Sequence, residues 1–453
     1  MSHSSTVTFL NHSCISISSA TTTILCDPWF TGAAFDGGWR LLFEDSHDLD
    51  TIAFDWIWLS HEHPDHFSLP TLKQLKRPSR FIYQAAPDGK VRAYLQAKGH
   101  EVREVDDWET VSFGDITCQV FTSDGYDSAA LFTLPDGFKV LNLNDCRAEL
   151  DGLIERIAKD SGPIDLLTIQ FSYANWAGNV GDDAIPRYLH EQVVARMEMV
   201  IATIKPKATL LFASYVYFSH DENFHWNAHF WADEVASKLA PSTKLILPKP
   251  NQVIHLEALD EADFSSPNET GLAFWTELHS KSKPIDHAQE HLTLEQLRAE
   301  FARFHAEIWH TNDLSLARST SCSSIDLNVK ITDLGQTVHL DLYEGTMTSV
   351  VDDTYDIAVS SEVLKFLLLS KFGRGTLTIN GRAHFNYRTA YRFFVFFFIY
   401  YANNIGKRLT PDGGLKWENM YSVAKTVVLD SIFHTTPGAR LGYEKFMKDF
   451  LRR

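Results

Sequence analysis

The chain has 453 residues, long enough for two domains and room for a third, with 44% hydrophobic and 22% charged residues, as in ordinary folded proteins. Its net charge of −17 argues against general binding to nucleic acid or to an anionic membrane surface, but leaves room for an anionic substrate in a locally basic or metal-lined pocket. The five cysteines, Cys14, Cys26, Cys118, Cys146 and Cys322, are odd in number and far apart, with no Cys-x-x-Cys, which disfavours a disulfide framework or zinc ribbon and suits a reducing cytoplasm.

The stretch Met1 to Ser5 has no basic region followed by an apolar core, so no signal peptide is expected. Residues 7 to 28 read as strands: Val7 to Leu10 leads to Asn11-His12, Cys14 to Ile17 alternates, and Thr23 to Cys26 ends at Asp27-Pro28-Trp29. The apolar run Trp56 to Leu59 then stops at Ser60, and His61, His63, Asp65 and His66 follow within six positions. Histidines two apart in a short loop after a strand can converge on one ion, and Asp65 with His66 can serve a second beside it. Crowding so many ionisable groups costs folding energy unless a cation offsets it. Ser68 and Pro70 then start a helix, Leu69 to Leu75.

Further strands are expected at Phe81 to Tyr83, Val102 to Val105, Thr110 to Phe113, Ile116 to Phe121, Ala129 to Leu134, Lys139 to Leu143, Ile164 to Ile169, Thr209 to Phe212 and Lys244 to Leu247. Helices are expected at Gly89 to Lys98, Gly152 to Lys159 and Ala184 to Ile204, the last from the helical spacing of Leu189, Val193, Val194, Met197, Val200 and Ile201. Strand clusters separated by helices fit an α/β architecture with two sheets between helix layers. The polar stretch 259–292 reads as a linker between a domain at 1–258 and an α+β accessory domain at 293–453. There a helix at Leu294 to Trp309, strands at Ser324 to Ile331, Thr337 to Leu342 and Met347 to Val351, a helix at Val363 to Leu369 and a strand at Gly375 to Ile379 are expected. Leu340-Asp341-Leu342-Tyr343-Glu344-Gly345, Ser360-Ser361-Glu362-Val363-Leu364 and Leu377-Thr378-Ile379-Asn380-Gly381 weakly resemble sterol-carrier-type accessory domains. The most apolar run, Phe393 to Tyr401, is too short to span a bilayer and reads as a buried helix or strand.

The order His61-x-His63-x-Asp65-His66 resembles the signature of the metallo-β-lactamase superfamily, which implies an αββα sandwich for the first domain. In that superfamily the motif is completed by a later His, a bridging Asp and a final His. Asp124 stands at the first of these positions, Asp145 matches the second, and Ser214 stands at the third, with His220 and His225 just beyond as substitutes. Several segments are also similar, in order over residues 5 to 255, to part of the CMP-N-acetylneuraminate hydroxylases. They include Asp27-Pro28-Trp29, Gly37-Gly38-Trp39, Ser123-Asp124-Gly125, Val140-Leu141-Asn142 with Asp145-Cys146, and Ser219-His220.

The resemblance implies a non-haem, two-metal oxygenase or hydroxylase of a small-molecule substrate, with iron favoured over zinc or manganese and O2 as cosubstrate. His61, His63 and Asp124 would hold one ion. Asp65, His66 and His220 would hold the other, with His225 as a spare. Asp145 would lie between the ions and share the catalytic role with Asp65. A carboxylate in place of an imidazole hardens the donor set, as suits iron or manganese. The Rieske segment of those hydroxylases, with its Cys-x-His and Cys-x-x-His pairs, has no counterpart, because no cysteine here has His at either spacing. Electrons would then come from an external donor or from the substrate. The alternatives are a dinuclear hydrolase of lactonase or phosphodiesterase type, whose metals polarise a carbonyl or phosphoryl oxygen, and a metal-stabilised scaffold. His12 is expected to support the site without touching an ion. Glu62 is expected to face solvent or the following helix, and Trp176 to wall a pocket or anchor a loop.

Overall fold

The computed structural model describes residues 5–44, 48–123, 127–149, 152–174, 176–285, 291–319, 324–351 and 354–411. They form two compact units: the first takes the described residues within 5–173, 189–219 and 227–283, the second those within 174–188, 220–226 and 284–411.

The first unit holds two seven-stranded sheets. One runs, in spatial order, through Gln252–His255, Thr6–Asn11, Cys14–Ser18, Thr23–Cys26, Trp56–Leu59, Arg80–Gln84 and Glu101–Val105. The other runs through Lys244–Ile246, Ala208–Phe212, Leu166–Gln170, Lys139–Asn144, Asp127–Thr133, Ile116–Ser123 and Thr110–Phe113. In the first sheet Thr23–Cys26, Trp56–Leu59 and Arg80–Gln84 pair in parallel; in the second Lys139–Asn144, Leu166–Gln170 and Ala208–Phe212 do so. Parallel strands finish on one edge of a sheet, so the loops that follow them collect there.

Period-2 alternation sorts the two faces of the first sheet. Ile24, Cys26, Trp58 and Ile82 face a core shared with Val120, Phe132, Leu141 and Leu211 of the second sheet. Trp58 meets Phe132 edge-on, ring centroids 5.6 Å apart. The opposite face, with Leu25, Ile57, Leu59, Phe81 and Tyr83, packs on Leu72, Val91 and Leu95 of two short helices, Leu69–Leu72 and Lys90–Ala97. Ser68 caps the first of these, and Pro70 sits in its first turn. The helix Ala184–Ile204 sends Val193, Val194, Met197, Val200 and Ile201 into the shared core, so the layers read helix, sheet, sheet, helix.

The stretch expected as a linker carries a 17-residue helix, Ser265–Lys281. Its polar sequence hides a buried stripe of Gly271 and Trp275, flanked by Leu272 and Leu278. A Cβ on Gly271 would lie 2.1 Å from the Leu247 carbonyl oxygen, so only glycine permits this approach. Asn268 donates to Leu245 O (2.7 Å) and accepts from Leu247 N–H (2.8 Å), fixing the helix beside the edge strand Lys244–Ile246.

The second unit has a five-stranded sheet in the order Thr346–Val350, Gln336–Asp341, Asp326–Ile331, Ile357–Val359 and His384–Phe385. Helix Leu294–Thr311 opens with a capping box between Thr293 and Gln296. The apolar run forms two short helices, Tyr391–Phe396 and Phe398–Asn404, whose Phe396 stacks 6.0 Å from Phe304. Gly375 to Ile379, expected as a strand from its β-branched residues, lies in a helix, Gly373–Asn380. Gly373, Thr376, Leu377 and Asn380 are all buried at helical spacing, and Gly381 at φ 67° closes the helix, so packing overrides local preference.

Candidate metal centre

The site is built at strand ends of the first unit. Asn11 is followed by His12, Cys26 by Asp27, Leu59 by Ser60-His61, Asn144 by Asp145 and Phe212 by Ala213. Four residues there, His12, Asp27, Asn144 and Ala213, have φ of 35°, 40°, 41° and 52°. Each such left-handed non-glycine residue costs about 1–3 kcal/mol and needs support from its surroundings. That support is visible. Ala213 N–H donates to His12 O (2.7 Å), Asp27 N–H to Trp58 O (2.9 Å), and the Asn144 side-chain amide to Ser128 O (2.9 Å). These sharp turns bring His12, Asp27 and Asp145 to the cluster.

Asp27, fully buried, organises the central loop. Its carboxylate accepts from Ser60 N–H (2.8 Å) and from the Ser60 hydroxyl (2.7 Å), and lies 2.9 Å from His66 Nδ1. A carboxylate on Nδ1 keeps a proton there and leaves Nε2 as the free donor of His66. Ser60 Oγ also lies 2.9 Å from His61 Nδ1, which turns His61 Nε2 the same way. His61 Nε2 and His63 Nδ1 are 2.8 Å apart.

The remaining separations are longer. His66 Nε2 lies 3.4 Å from Asp65 Oδ2 and 3.5 Å from Asp145 Oδ1. His12 Nε2 lies 3.5 Å from Asp65 Oδ2, and His61 Nε2 lies 3.8 Å from Asp145 Oδ2. These exceed ordinary hydrogen bonds. The three shorter ones match the spacing of about 3.3–3.6 Å between tetrahedral ligands that each sit about 2.0–2.2 Å from one ion, and the His61–Asp145 separation is slightly longer. Asp65 Oδ1, Asp145 Oδ1, His66 Nε2 and both ring nitrogens of His12 are buried without a hydrogen-bond partner. Leaving such atoms unpaired is costly, and a cation would satisfy them together. Among the described residues, three groups converge closely enough to hold an ion: His61, His63 and Asp127; His61, His66 and Asp145; and His12, Asp65 and His66.

Electrostatics agree with a cation site. Burial opposes charge on His66, but Asp145, Asp65 and Asp27 outweigh it and raise its pKa well above the ordinary value. Burial would raise the Asp65 pKa, yet His66 and His12 hold it well below the usual carboxylate range. Asp145 is lowered too, with His61 and His66 overcoming burial. Burial lowers His63, with His61 adding to it. The cage thus favours charged carboxylates, and a protonated His66 stands where an ion would bring positive charge.

The structure brings together His61, His63, Asp65, His66 and Asp145 of the expected set. Asp124 lies outside the described residues. Asp127, which the sequence reading passed over, joins His61 and His63. It opens the strand Asp127–Thr133, in register with Ser123, and only that hairpin pairing brings it to the site. His220 and His225 belong to the second unit, where His220 N–H donates to Asn223 Oδ1 (2.9 Å) and His225 Nε2 lies 3.4 Å from Gly178 O. Glu62 turns away to pair with Lys90 Nζ at 2.7 Å. Trp176, also in the second unit, is fully buried against Phe385 and Tyr387, as a loop anchor would be. Asp27 enters the sequence analysis only within Asp27-Pro28-Trp29, as a turn and a segment of resemblance, with no role at the site; its position directly after a buried strand was the available signal.

Residues 6–131 match the description of the beta-lactamase superfamily domain. The cytidine monophosphate-N-acetylneuraminic acid hydroxylase of Danio rerio is 36% identical over 113 residues, which are 24% of this chain and 19% of that protein. The Mus musculus protein of the same name is 34% identical over 167 residues, 34% of this chain and 28% of that one. The chain therefore spans less than a third of the length of these relatives. Among solved structures, CmlA, a diiron beta-hydroxylase from Streptomyces venezuelae, aligns with a TM-score of 0.41 at 16% identity, covering 56% of this chain and 55% of that one. No helix among the described residues is long and apolar enough to cross a membrane. Residues 6–131, which carry the central loop and its histidines, are thus similar to a beta-lactamase superfamily domain, within a unit of two packed sheets.

Proposed function

We propose that this chain is a two-metal, non-haem iron oxygenase acting on a small molecule. The observation that carries the proposal is the donor set of the first group: two imidazoles, His61 and His63, with one carboxylate, Asp127. Two histidines and a carboxylate with further positions open are the ligand pattern of non-haem iron oxygenases; some catalytic zinc sites share it, and the added carboxylates Asp65 and Asp145 harden the donor set toward iron. Asp65 and His66 serve the second ion, and Asp145, within 4 Å of both His61 and His66, is placed to be shared.

When bound, the iron pair supplies the oxygen-activating redox chemistry. The chain supplies its geometry. Asp27 and Ser60 fix which nitrogen of His66 and of His61 faces the cage. The buried walls around His12, His61 and His66 exclude bulk water from that side. Asp65 and Asp145 set the local negative charge and are the groups on hand to accept a proton from a substrate. With no Rieske cysteine–histidine pairs in the chain, electrons come from a separate donor or from the substrate.

Element analysis and an optical spectrum of protein purified from iron-replete cells, before and after reductant and oxygen, test the reading. Two irons per chain and oxygen-dependent turnover are expected. Stoichiometric zinc with turnover under anaerobic conditions would replace it with a hydrolase.

A further inference from the structure

We propose that His12 is a direct ligand of the ion held by Asp65 and His66. The proposal rests on the two-metal reading above and extends its ligand set to a residue remote from the central loop.

His12 is buried, and neither ring nitrogen has a hydrogen bond. A buried imidazole that serves only packing normally donates from one nitrogen or accepts at the other. The ring is fixed edge-on to Trp29, centroids 5.3 Å apart and planes at 83°, and it stands 6.1 Å from the His66 ring. Its Nε2 is 3.5 Å from Asp65 Oδ2, the ligand-to-ligand spacing already seen at His66. The backbone is strained to achieve this: φ is 35°, with the N–H held by Asn11 Oδ1 (3.0 Å) and the carbonyl by Ala213 N–H (2.7 Å). Strain held by its neighbours at a buried, unbonded imidazole marks a functional position.

Ser214, at the strand end opposite, is not a competing donor. Ser214 Oγ accepts from Phe171 N–H (3.0 Å) and Ser172 N–H (3.1 Å) and donates to Phe212 O (3.1 Å), so its hydrogen-bonding capacity is used up. With His12, the second ion receives two imidazoles and a carboxylate, the same kind of set that His61, His63 and Asp127 give the first.

The test is His12→Gly in the full chain, because glycine accepts this φ without strain. Metal content is measured after equilibration with iron or cobalt and a graded chelator, and the cobalt-loaded optical spectrum is recorded with and without added imidazole. The expected result is loss of one of the two ions, retention of the spectrum of the ion at His61 and His63, and recovery of the second ion when imidazole fills the vacated space. Retention of both ions, loss of both, or a loss that imidazole does not restore would overturn the proposal. Failure of the unsubstituted protein to take up two ions would instead sink the two-metal reading itself, so the two failures are distinguishable.

Discussion

Replacing Asp27 by Asn tests how the loop controls its ligands. The substitution keeps the shape of a buried side chain that meets Ser60 N–H at 2.8 Å, Ser60 Oγ at 2.7 Å and His66 Nδ1 at 2.9 Å. The amide oxygen still satisfies Ser60 N–H, so the amide nitrogen is left facing His66 Nδ1. A donor there demands an unprotonated Nδ1 and moves the ring proton to Nε2, the atom that faces Asp65 and Asp145. The ion next to His66 must then expel that proton and the imidazole must turn over its hydrogen bond. Loss of such an orienting carboxylate weakens metal binding by about ten- to a hundredfold. That corresponds to about 1.4–2.7 kcal/mol. Competition against a chromophoric chelator at fixed pH reads the change in affinity of the ion beside His66. An Asn variant that holds both ions as tightly as the parent would refute the idea that Asp27 sets the His66 tautomer.

Three further outcomes follow from the geometry. Asp145→Ala removes the carboxylate that approaches both His61 and His66, and should weaken both ions together in element analysis, whereas loss of only one would show it is not shared. Asp127→Asn should deplete the ion at His61 and His63 while leaving the one at Asp65 and His66, read from the metal-to-protein ratio and the cobalt spectrum. Trp58→Ala opens a void between the sheets against Phe132 and should cost about 3–5 kcal/mol in denaturant unfolding, and a loss below about 1 kcal/mol would contradict the packing described.

Much of this was legible in the chain because it is local. The run Trp56 to Leu59 declares a buried strand, and the histidines and aspartate that follow sit within one turn-sized stretch, so their convergence needs no knowledge of the rest. Asp145 was legible for the same reason, directly after an apolar strand. Asp127 was not, and His12 was legible only as a supporting group, because their places depend on pairing. Asp127 arrives through the register of the hairpin with Ile116–Ser123. His12 lies three strands along the first sheet from His61 and reaches Asp65 by a left-handed turn that no residue type announces. The helix at Gly373–Asn380 was misread because Thr376, Thr378 and Ile379 favour strands when considered alone. The helix at Ser265–Lys281 was missed because its contact with the edge strand rests on a glycine and an asparagine rather than on a broad apolar stripe.

The four left-handed strand ends bear on any attempt to transplant this cage. His12, Asp27, Asn144 and Ala213 come from both sheets, and the bond from Ala213 N–H to His12 O ties one sheet to the other. Excising Ser60 to His66 as a loop and grafting it onto another scaffold would carry the imidazoles but not the bends that point them. A recipient would need two stacked sheets whose strands end in register, each already bent backwards at its last residue. Randomised libraries at these four positions should therefore return glycine, asparagine and aspartate among folded clones, while β-branched residues vanish.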